Sequence, residues 1–176
     1  MYQQGDFIIY GSSGVCHIEE VCTLDHILMS DKDQLYYKLA PIYDNGVIYT
    51  PINTAIFIRA IITKQQAEQL VSQITEIVPI PEILENVCDN HNVRALSDLY
   101  EKFLQTYDPE KLLQIIKTVH IKNSILIKNS KQLGQTDQKY MKQAEAFLFG
   151  ELAVALEISY DDLKKLIEEG LSTLEY

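Results

Sequence analysis

The sequence predicts an α+β protein, in which a small antiparallel β-barrel or strongly bent sheet is followed by an all-α helical bundle. The first reason is a change of hydrophobic period near residue 63, from the period of 2 typical of strands to the period of 3.6 typical of helices. The second is spacing, because the strands crowd into about sixty residues and leave no room for the crossover helices of a parallel sheet.

Five segments in the amino-terminal part have the alternating or β-branched pattern of strands. They are residues 7–10, 15–22, 35–39, 47–50 and 56–62. Asp44-Asn45-Gly46 supplies residue types that tolerate positive φ between two of these strands, and a polar Asp-Lys-Asp sequence at 31–33 separates two others. We therefore expect tight connections and an antiparallel sheet.

The stretch Gly11-Ser12-Ser13-Gly14 has two alternative interpretations, a phosphate-binding loop and a turn between two strands. A Walker-type loop needs a lysine after its last glycine and a helix beyond it, whereas Gly14 is followed by Val15 and a strand pattern. The serines have no evident base partner, so a nucleophile is not indicated either. We predict a turn, in which the glycines provide backbone angles that other residues resist.

After residue 63 the sequence predicts a first helix, a connector containing Pro79 and Pro81, and then a bundle of four helices. The predicted N-caps are Thr63, Asp108, Thr136 and Ser159, and the second helix starts near Val93. The apolar stripes that we expect to face the core comprise Leu112, Leu113, Ile116 and Val119 of the third helix, Met141, Ala144, Phe147, Leu148, Leu152 and Ala155 of the fourth, and Leu163, Leu166 and Ile167 of the last.

The composition, with 47% hydrophobic and 23% charged residues in a chain of 176, is typical of a soluble globular protein. No apolar run reaches the ~20 residues needed to cross a bilayer, and Asp6 stands where a signal peptide would carry a basic head. Three cysteines without a C-x-x-C pair and four scattered histidines disfavour a disulfide framework and a metal site. We expect a cytoplasmic protein with no metal, no cofactor and no membrane contact.

We also expect no enzymatic activity. The sequence shows no nucleophile with a base and no convergent carboxylates. Glu19 and Glu20 alternate along a predicted strand, so we expect their side chains to point to opposite faces of the sheet and not to act as a pair.

The net charge of −10 disfavours nucleic-acid binding, but its distribution is uneven. Residues 92–150 hold nine basic and six acidic side chains, whereas residues 1–91 have a balance of −8 and residues 151–176 a balance of −5. Between positions 117 and 142 six lysines face a single acid, Asp137. Two interpretations stay open: the lysines solubilise the helices, or this region contacts DNA.

Three stretches resemble the CarD family of bacterial transcription regulators: "GDFIIYGSSGVCHIEEV", "YYKLAPIYDNGVIYTPINT" and "AEAFLFGELAVAL". The resemblance extends from about Gly5 to Ile158. Its first half is also similar to the Tudor-like, polymerase-interacting module of the transcription-repair coupling factor. The second half, a helical domain with "GELAVAL" followed by a short helix, is similar to the CarD arrangement.

The resemblance implies a regulator whose Tudor/SH3-like barrel docks on the RNA polymerase β subunit and whose helical domain contacts promoter DNA beside the transcription bubble. Such a protein stabilises the open promoter complex and is associated with the bacterial nucleoid through polymerase. The implied domains are a polymerase-interacting barrel at 1–62, a helix and connector at 63–91, and a DNA-facing helical domain at 92–176.

Matched by position, the barrel's polymerase contact would comprise Leu24, Asp25, His26, Ile27 and Tyr49, with a strand of the partner added to the exposed edge. Tyr49 has an equally simple interpretation as a barrel side chain that packs on a neighbour. An exposed edge could also pair with a second copy of the chain.

Many family members insert a tryptophan into the minor groove, and this chain has no tryptophan. Val93 stands in the matching position, so we expect weak DNA contact that depends on polymerase. The predicted DNA-facing residues are Val93, Arg94, Lys102, Lys117, Lys128, Lys131, Lys139 and Lys142. The alternative is a polymerase-binding adaptor that makes no direct DNA contact.

Overall fold

The computed structural model describes residues 1–23, 34–85 and 93–173. The chain divides into two compact units, Met1–Ile62 and Thr63–Tyr176. Leu24, Asp25, His26 and Ile27, which the sequence predicts to contact polymerase, lie outside the described residues, as do residues 86–92 of the connector before Val93.

The amino-terminal unit is a five-stranded antiparallel sheet. Its strands are β1 Phe7–Tyr10, β2 Val15–Thr23, β3 Leu35–Pro41, β4 Ile48–Pro51 and β5 Ile58–Ala60, in the spatial order β4-β3-β2-β1-β5. With the helices that follow, this confirms the α+β class. Among the described residues no ladder joins β4 to β5, so the sheet has two edges and its closure into a barrel is not seen.

One face of the sheet carries the core of this unit. Alternate residues of β1, β2 and β3 meet there, because side chains along a strand point to opposite faces in turn. The fully or almost fully buried members are Ile8, Tyr10, Cys16, Ile18, Tyr37 and Leu39. The Tyr10 hydroxyl is satisfied inside this core by donating to Thr50 Oγ1 at 3.0 Å, and burial raises the pKa of the Cys16 thiol to about 11.

The glycine–serine stretch is a turn, as predicted. Gly11–Ser13 form a single 3-10 turn between β1 and β2, and the Tyr10 N–H donates to the Gly14 carbonyl at 2.9 Å. Gly11 has φ 44° and Gly14 has φ 69°, both in the region that favours glycine. A Cβ added at Gly11 would lie 2.9 Å from Ile56 Cγ2, so this position is closed to larger residues by both backbone and packing.

The second unit consists of helices. They are α1 Lys64–Ser72, α2 Pro81–Leu84, α3 Val93–Leu104, α4 Pro109–Lys128, α5 Gln135–Leu156 and α6 Tyr160–Ser172. Three predicted caps are confirmed: Thr63 forms a capping box with Gln66, and Asp108 and Ser159 accept from main-chain N–H groups of the first turn.

Two helix starts differ from the prediction. α5 begins at Gln135 with Gly134 as N-cap, so Thr136 lies within the first turn and is not the cap. The short helix α2 lies in the predicted connector, because Pro81 occupies its first turn, where a missing N–H costs nothing.

Helices α4 and α5 form the centre of this unit. The predicted core residues of α4 are buried, as are Leu163 and Ile167 of α6. In α5, Ala144, Leu148, Leu152 and Ala155 are buried, whereas Met141 and Phe147 are half-buried. Leu166 is 43% exposed, so its predicted burial is wrong. The buried positions of α6 follow a spacing of four, Leu163, Ile167 and Leu171, which leaves the intervening Leu166 on a different side of the helix.

Replacing Gly11 by alanine should destabilise the amino-terminal unit by about 1–2 kcal/mol, because the side chain resists a positive φ and meets Ile56. Urea unfolding followed by circular dichroism measures the loss. Gly46→Ala is the matched control, since a Cβ at Gly46 meets nothing within 4 Å. Equal unfolding midpoints for the two variants would contradict the role given to Gly11.

Candidate functional site

Strand β4 forms one edge of the sheet and has β3 as its only ladder partner among the described residues. The Ile52 N–H donates to the Leu35 carbonyl at 3.1 Å, and the antiparallel register continues this ladder through Thr50 opposite Tyr37. The alternate residue Tyr49 therefore directs its own N–H and C=O away from β3. Its side chain is 49% exposed. This outer side of Ile48–Pro51 is called the β4 edge below.

The opposite edge, formed by β5, has outward main-chain groups at Ile58 and Ala60. The Gly11 N–H donates to the Phe57 carbonyl at 2.9 Å, so the register turns the main-chain groups of Ala60 outward from β1. The outward carbonyl of Ala60 already accepts a hydrogen bond from the guanidinium of Arg59, at 3.0 Å. Both edges thus keep outward main-chain groups, and the β4 edge is the candidate for an added strand because its Tyr49 is exposed and was predicted to contact polymerase.

A row of polar side chains crosses the sheet beside Tyr49. Lys38 of β3 lies opposite Tyr49 on one side and opposite Glu20 of β2 on the other. Lys38 Nζ is 2.8 Å from Glu19 Oε2, and this hydrogen bond lowers the pKa of Glu19 and raises the pKa of Lys38. The charge next to Tyr49 is thus partly neutralised within the unit.

The same contact corrects the expectation that Glu19 and Glu20 point to opposite faces. The register shifts between Ile18 and Glu20, which places an irregularity of the β-bulge kind at Glu19. A bulge sets two residues of one strand against one residue of its neighbour. Both glutamates therefore lie on the face of Lys38.

Apolar side chains extend the β4 edge toward the connection between β3 and β4. Val47 and Tyr43 are both exposed, in addition to Tyr49. Of the five residues predicted to contact polymerase, only Tyr49 lies in the part of the chain that the structure describes. Its exposure and its outward main chain fit that role, while the prediction for the other four residues stays a prediction.

Lys117 does not reach the surface. It is 2% exposed, and its Nζ donates to the carbonyls of Ile74 at 3.1 Å and Thr75 at 2.6 Å, just beyond the end of α1. Burial lowers its pKa. An ammonium group that is held by main-chain carbonyls inside the unit cannot meet a phosphate, so the predicted DNA-facing role of Lys117 is wrong.

Lys122 is also internal, and it pairs with the only acid of this lysine-rich stretch. Asp137 is buried, and its Oδ1 accepts from Lys122 Nζ at 3.0 Å and from the Tyr100 hydroxyl at 2.7 Å. Burial and the neighbouring Asp137 raise the pKa of Tyr100. Lys122 follows Val119 by three residues and precedes Leu126 by four, so its position on the apolar stripe of α4 was the sequence signal for burial.

The other predicted basic residues are exposed. They are Arg94, Lys102, Lys128, Lys131, Lys139 and Lys142. Two of them have a described neighbour: Lys139 Nζ lies 4.8 Å from the centroid of the Tyr140 ring, and the charge of Lys142 acts on Glu145. Arg94, Lys102, Lys128 and Lys131 form no ion pair with any residue in the described ranges.

The chain is thus an α+β protein with an open sheet edge in its first unit and exposed basic groups in its second. Residues 2–62 match the family model of the CarD-like/TRCF RID domain. This match confirms the resemblance over the sheet unit and is consistent with a CarD-like family member. Domains of this family interact with the RNA polymerase β subunit. No curated protein matches the chain significantly.

Metal-ligating side chains do not cluster in the described residues. No group of three or more of them comes together in 1–23, 34–85 and 93–173. Within the same ranges, no helix combines the length and the apolar character that a membrane span requires.

Replacing Lys122 by methionine should destabilise the helical unit by about 3–5 kcal/mol, because it leaves the buried carboxylate of Asp137 without its counter-ion. Thermal and urea unfolding measure the loss. Lys128→Met is the matched control on the same helix, and it should change stability by less than about 0.5 kcal/mol because Lys128 is exposed. Similar losses for the two variants would show that the Lys122–Asp137 pair does not hold the bundle.

Proposed function

We propose that this protein regulates transcription by binding the β subunit of RNA polymerase and by stabilising the open promoter complex through contacts with promoter DNA. The observation that carries the proposal is the match of residues 2–62 to the CarD-like/TRCF RID domain. The protein acts by binding and not by catalysis, as a bacterial cytoplasmic factor associated with the nucleoid through polymerase.

Docking on polymerase uses the β4 edge. A Tudor-like unit whose edge strand turns an N–H and a C=O outward at Tyr49 can accept one more antiparallel strand. Pro51 has no N–H to offer, so the added strand finds its main-chain partner at Tyr49 and its other contacts in exposed side chains such as Val47. Leu24, Asp25, His26 and Ile27 would extend this contact.

Contact with DNA uses the exposed basic groups of the helical unit. Arg94, Lys102, Lys128 and Lys131 lead this set because they are exposed and form no ion pair with a described residue, and Lys139 and Lys142 extend it. A chain with a net charge of −10 binds free DNA weakly. Attachment to polymerase raises the local concentration of the helical unit to about the millimolar range, so a few phosphate contacts suffice.

A second candidate is a polymerase-binding adaptor without DNA contact. It is favoured by the overall negative charge and by the internal positions of Lys117 and Lys122, which leave fewer cations at the surface than the sequence suggests. The two candidates differ in the salt dependence of recruitment to a polymerase–promoter complex, because phosphate contacts release counterions and a protein contact need not.

Replacing Tyr49 by proline removes the outward N–H of the β4 edge without breaking a hydrogen bond to β3. We expect the Kd for the purified polymerase β lobe to rise about tenfold, in line with the removal of a hydrogen bond and an aromatic side chain. Tyr49→Ala, which keeps the N–H, should show only the side-chain part of this effect. Calorimetry or biolayer interferometry gives both values.

Ala60→Pro on the β5 edge is the matched control, because the N–H of Ala60 also points away from its ladder partner. It should leave the affinity for the β lobe unchanged. If Ala60→Pro weakens binding and Tyr49→Pro does not, the docking edge is β5 and the assignment of β4 is wrong. If wild-type protein does not bind the β lobe at micromolar concentration, both candidate functions fail.

Replacing Lys128 and Lys131 together by alanine should shorten the lifetime of the open promoter complex and reduce the salt dependence of recruitment, at unchanged affinity for the β lobe. Removing one phosphate interaction lowers the salt slope by about 0.9 on duplex DNA. Lys164 and Lys165 of α6 provide the control pair, because they lie in a region with acidic neighbours. Equal lifetimes and equal slopes for all proteins would favour the adaptor.

A further inference from the structure

The connection between β3 and β4 contains a chemically reactive pair of residues. Asn45-Gly46 is the one asparagine–glycine pair in the sequence, and both residues are exposed. In such a pair the main-chain nitrogen of the glycine can attack the side-chain amide of the asparagine, because glycine has no Cβ to obstruct the approach. In a folded protein this reaction requires that neither group is held by other contacts.

Neither reacting group is held in this connection. The main-chain N–H of Asn45 donates to Asp44 Oδ1 at 2.7 Å, which leaves the side-chain amide of Asn45 unengaged. That amide and the N–H of Gly46 have no hydrogen-bond partner within residues 1–23, 34–85 and 93–173. The attacking nitrogen and the amide carbon can therefore approach each other without breaking a contact inside the protein.

Asn53, in the connection from β4 to β5, shows the opposite situation. Its side-chain Oδ1 accepts from Gln34 Nε2 at 2.8 Å. The N–H of the next residue, Thr54, donates to the Pro51 carbonyl at 3.0 Å. Both groups that would have to react are thus engaged, and the side chain of Thr54 also stands where Gly46 has none.

The two described asparagines of the helical unit are held as well. Asn129 Nδ2 donates to the Ile125 carbonyl at 2.8 Å. The N–H of the following Ser130 donates to the Ile127 carbonyl at 3.0 Å. Asn123 lies inside α4, where the next main-chain N–H belongs to the helical hydrogen bonds. Among the described asparagines, Asn45 alone is followed by an N–H that is unbonded within the protein.

Gly46 can be replaced without disturbing the fold. It lacks the positive φ of Gly11 and Gly14, and a Cβ placed on it would meet nothing within 4 Å. A glycine is therefore required at this position neither by the backbone nor by packing. What the glycine does provide is an unobstructed nitrogen beside Asn45.

The reactive pair lies directly before the β4 edge. Val47 follows it and is exposed, and Ile48 begins β4 opposite Leu39 of β3. The register of two antiparallel strands depends on the geometry of the connection between them. An isoaspartate at position 45 would route the main chain through Cβ, which adds one carbon atom to this connection and places a new carboxylate beside Asp44.

We propose that Asn45 is a site of spontaneous deamidation and that the isoaspartate product weakens docking through the β4 edge. The Gly46 nitrogen loses its proton and bonds to Asn45 Cγ, the Cγ–Nδ2 bond breaks, and ammonia leaves. Water then opens the succinimide. Cleavage between Cγ and the ring nitrogen gives aspartate, whereas cleavage between the main-chain carbonyl carbon and that nitrogen gives isoaspartate. The effect on docking rests on the proposed function, and the modification itself does not.

The first test incubates the full chain in mildly alkaline buffer at physiological temperature. Peptide mapping by mass spectrometry locates the products, and an isoaspartyl methyltransferase labels the isoaspartate. We expect both products to accumulate at Asn45, with Asn53 and Asn129 unchanged. Gly46→Ala should slow the reaction about tenfold, because its Cβ obstructs the attack while the fold stays intact.

A synthetic peptide with the sequence of residues 41–48 controls for the intrinsic reactivity of the pair. If the peptide deamidates and Asn45 of the folded chain does not, the fold protects the pair and the proposal is wrong. Deamidation of Asn53 or Asn129 as fast as that of Asn45 would also overturn it, because the hydrogen bonds that hold those two residues would then not control the reaction.

The second test offers incubated protein to a limiting amount of the polymerase β lobe and compares the isoaspartate content of bound and unbound chains. We expect the isoaspartate in the unbound fraction. Asn45→Asp, which has the added charge without the added carbon atom, should bind more tightly than the isoaspartate form. Equal isoaspartate contents in the two fractions would overturn the effect on docking.

Freshly prepared protein that does not bind the β lobe would remove the proposed function, and the effect on docking with it. Deamidation at Asn45 is measured without polymerase, so the two failures are distinguishable.

Discussion

The helical unit depends on one buried carboxylate. Asp137 stands in the first turn of α5, and its Oδ1 accepts hydrogen bonds from Lys122 of α4 and Tyr100 of α3, so three helices are tied to a single atom. A carboxylate that is removed from water costs several kcal/mol unless its partners are close and well directed. Helix registers that would separate these three residues are therefore strongly disfavoured.

The surface charge of the helical unit is a consequence of this anchor. Because Lys122 neutralises Asp137 in the interior and Lys117 binds the carbonyls of Ile74 and Thr75, two cations of the lysine-rich region are absent from the surface. The single acid of the same region is absent as well. The charged side chains that stay exposed at the end of α4, Lys128 and Lys131, are basic and form no ion pair with a described residue. Positive potential is therefore concentrated at this end.

The two edges of the sheet limit pairing with another strand in different ways. Both end strands are short, which limits uncontrolled pairing, and Pro51 and the Arg59 guanidinium each remove a main-chain partner that another strand could use. Tyr49, in contrast, has both an outward N–H and an outward C=O that another strand could bind. A short, selective edge of this kind suits a specific protein contact better than open-ended self-association, because it offers few main-chain bonds and leaves recognition to side chains.

Local chemistry in the sequence determined the elements of this protein. The period of the apolar residues placed five strands before residue 63 and the long helices after it, the caps at Thr63, Asp108 and Ser159 defined three helix starts, and the glycines defined the turn at 11–14. These features depend on residues near one another in the chain, which is why they could be predicted. The family resemblance of the sheet unit was also present in contiguous stretches.

Only the tertiary structure decided which charges are inside. Counting charges along the chain grouped Lys117 and Lys122 with Lys128 and Lys131, but the partners that bury the first two lie 42 and 15 residues away, at Thr75 and Asp137. The bulge at Glu19 and the outward main chain of Tyr49 depend in the same way on pairing between strands. Whether a charge is buried, and whether a strand edge is open, depends on contacts between residues that are far apart in the sequence. A local sequence pattern does not show which distant residue makes such a contact.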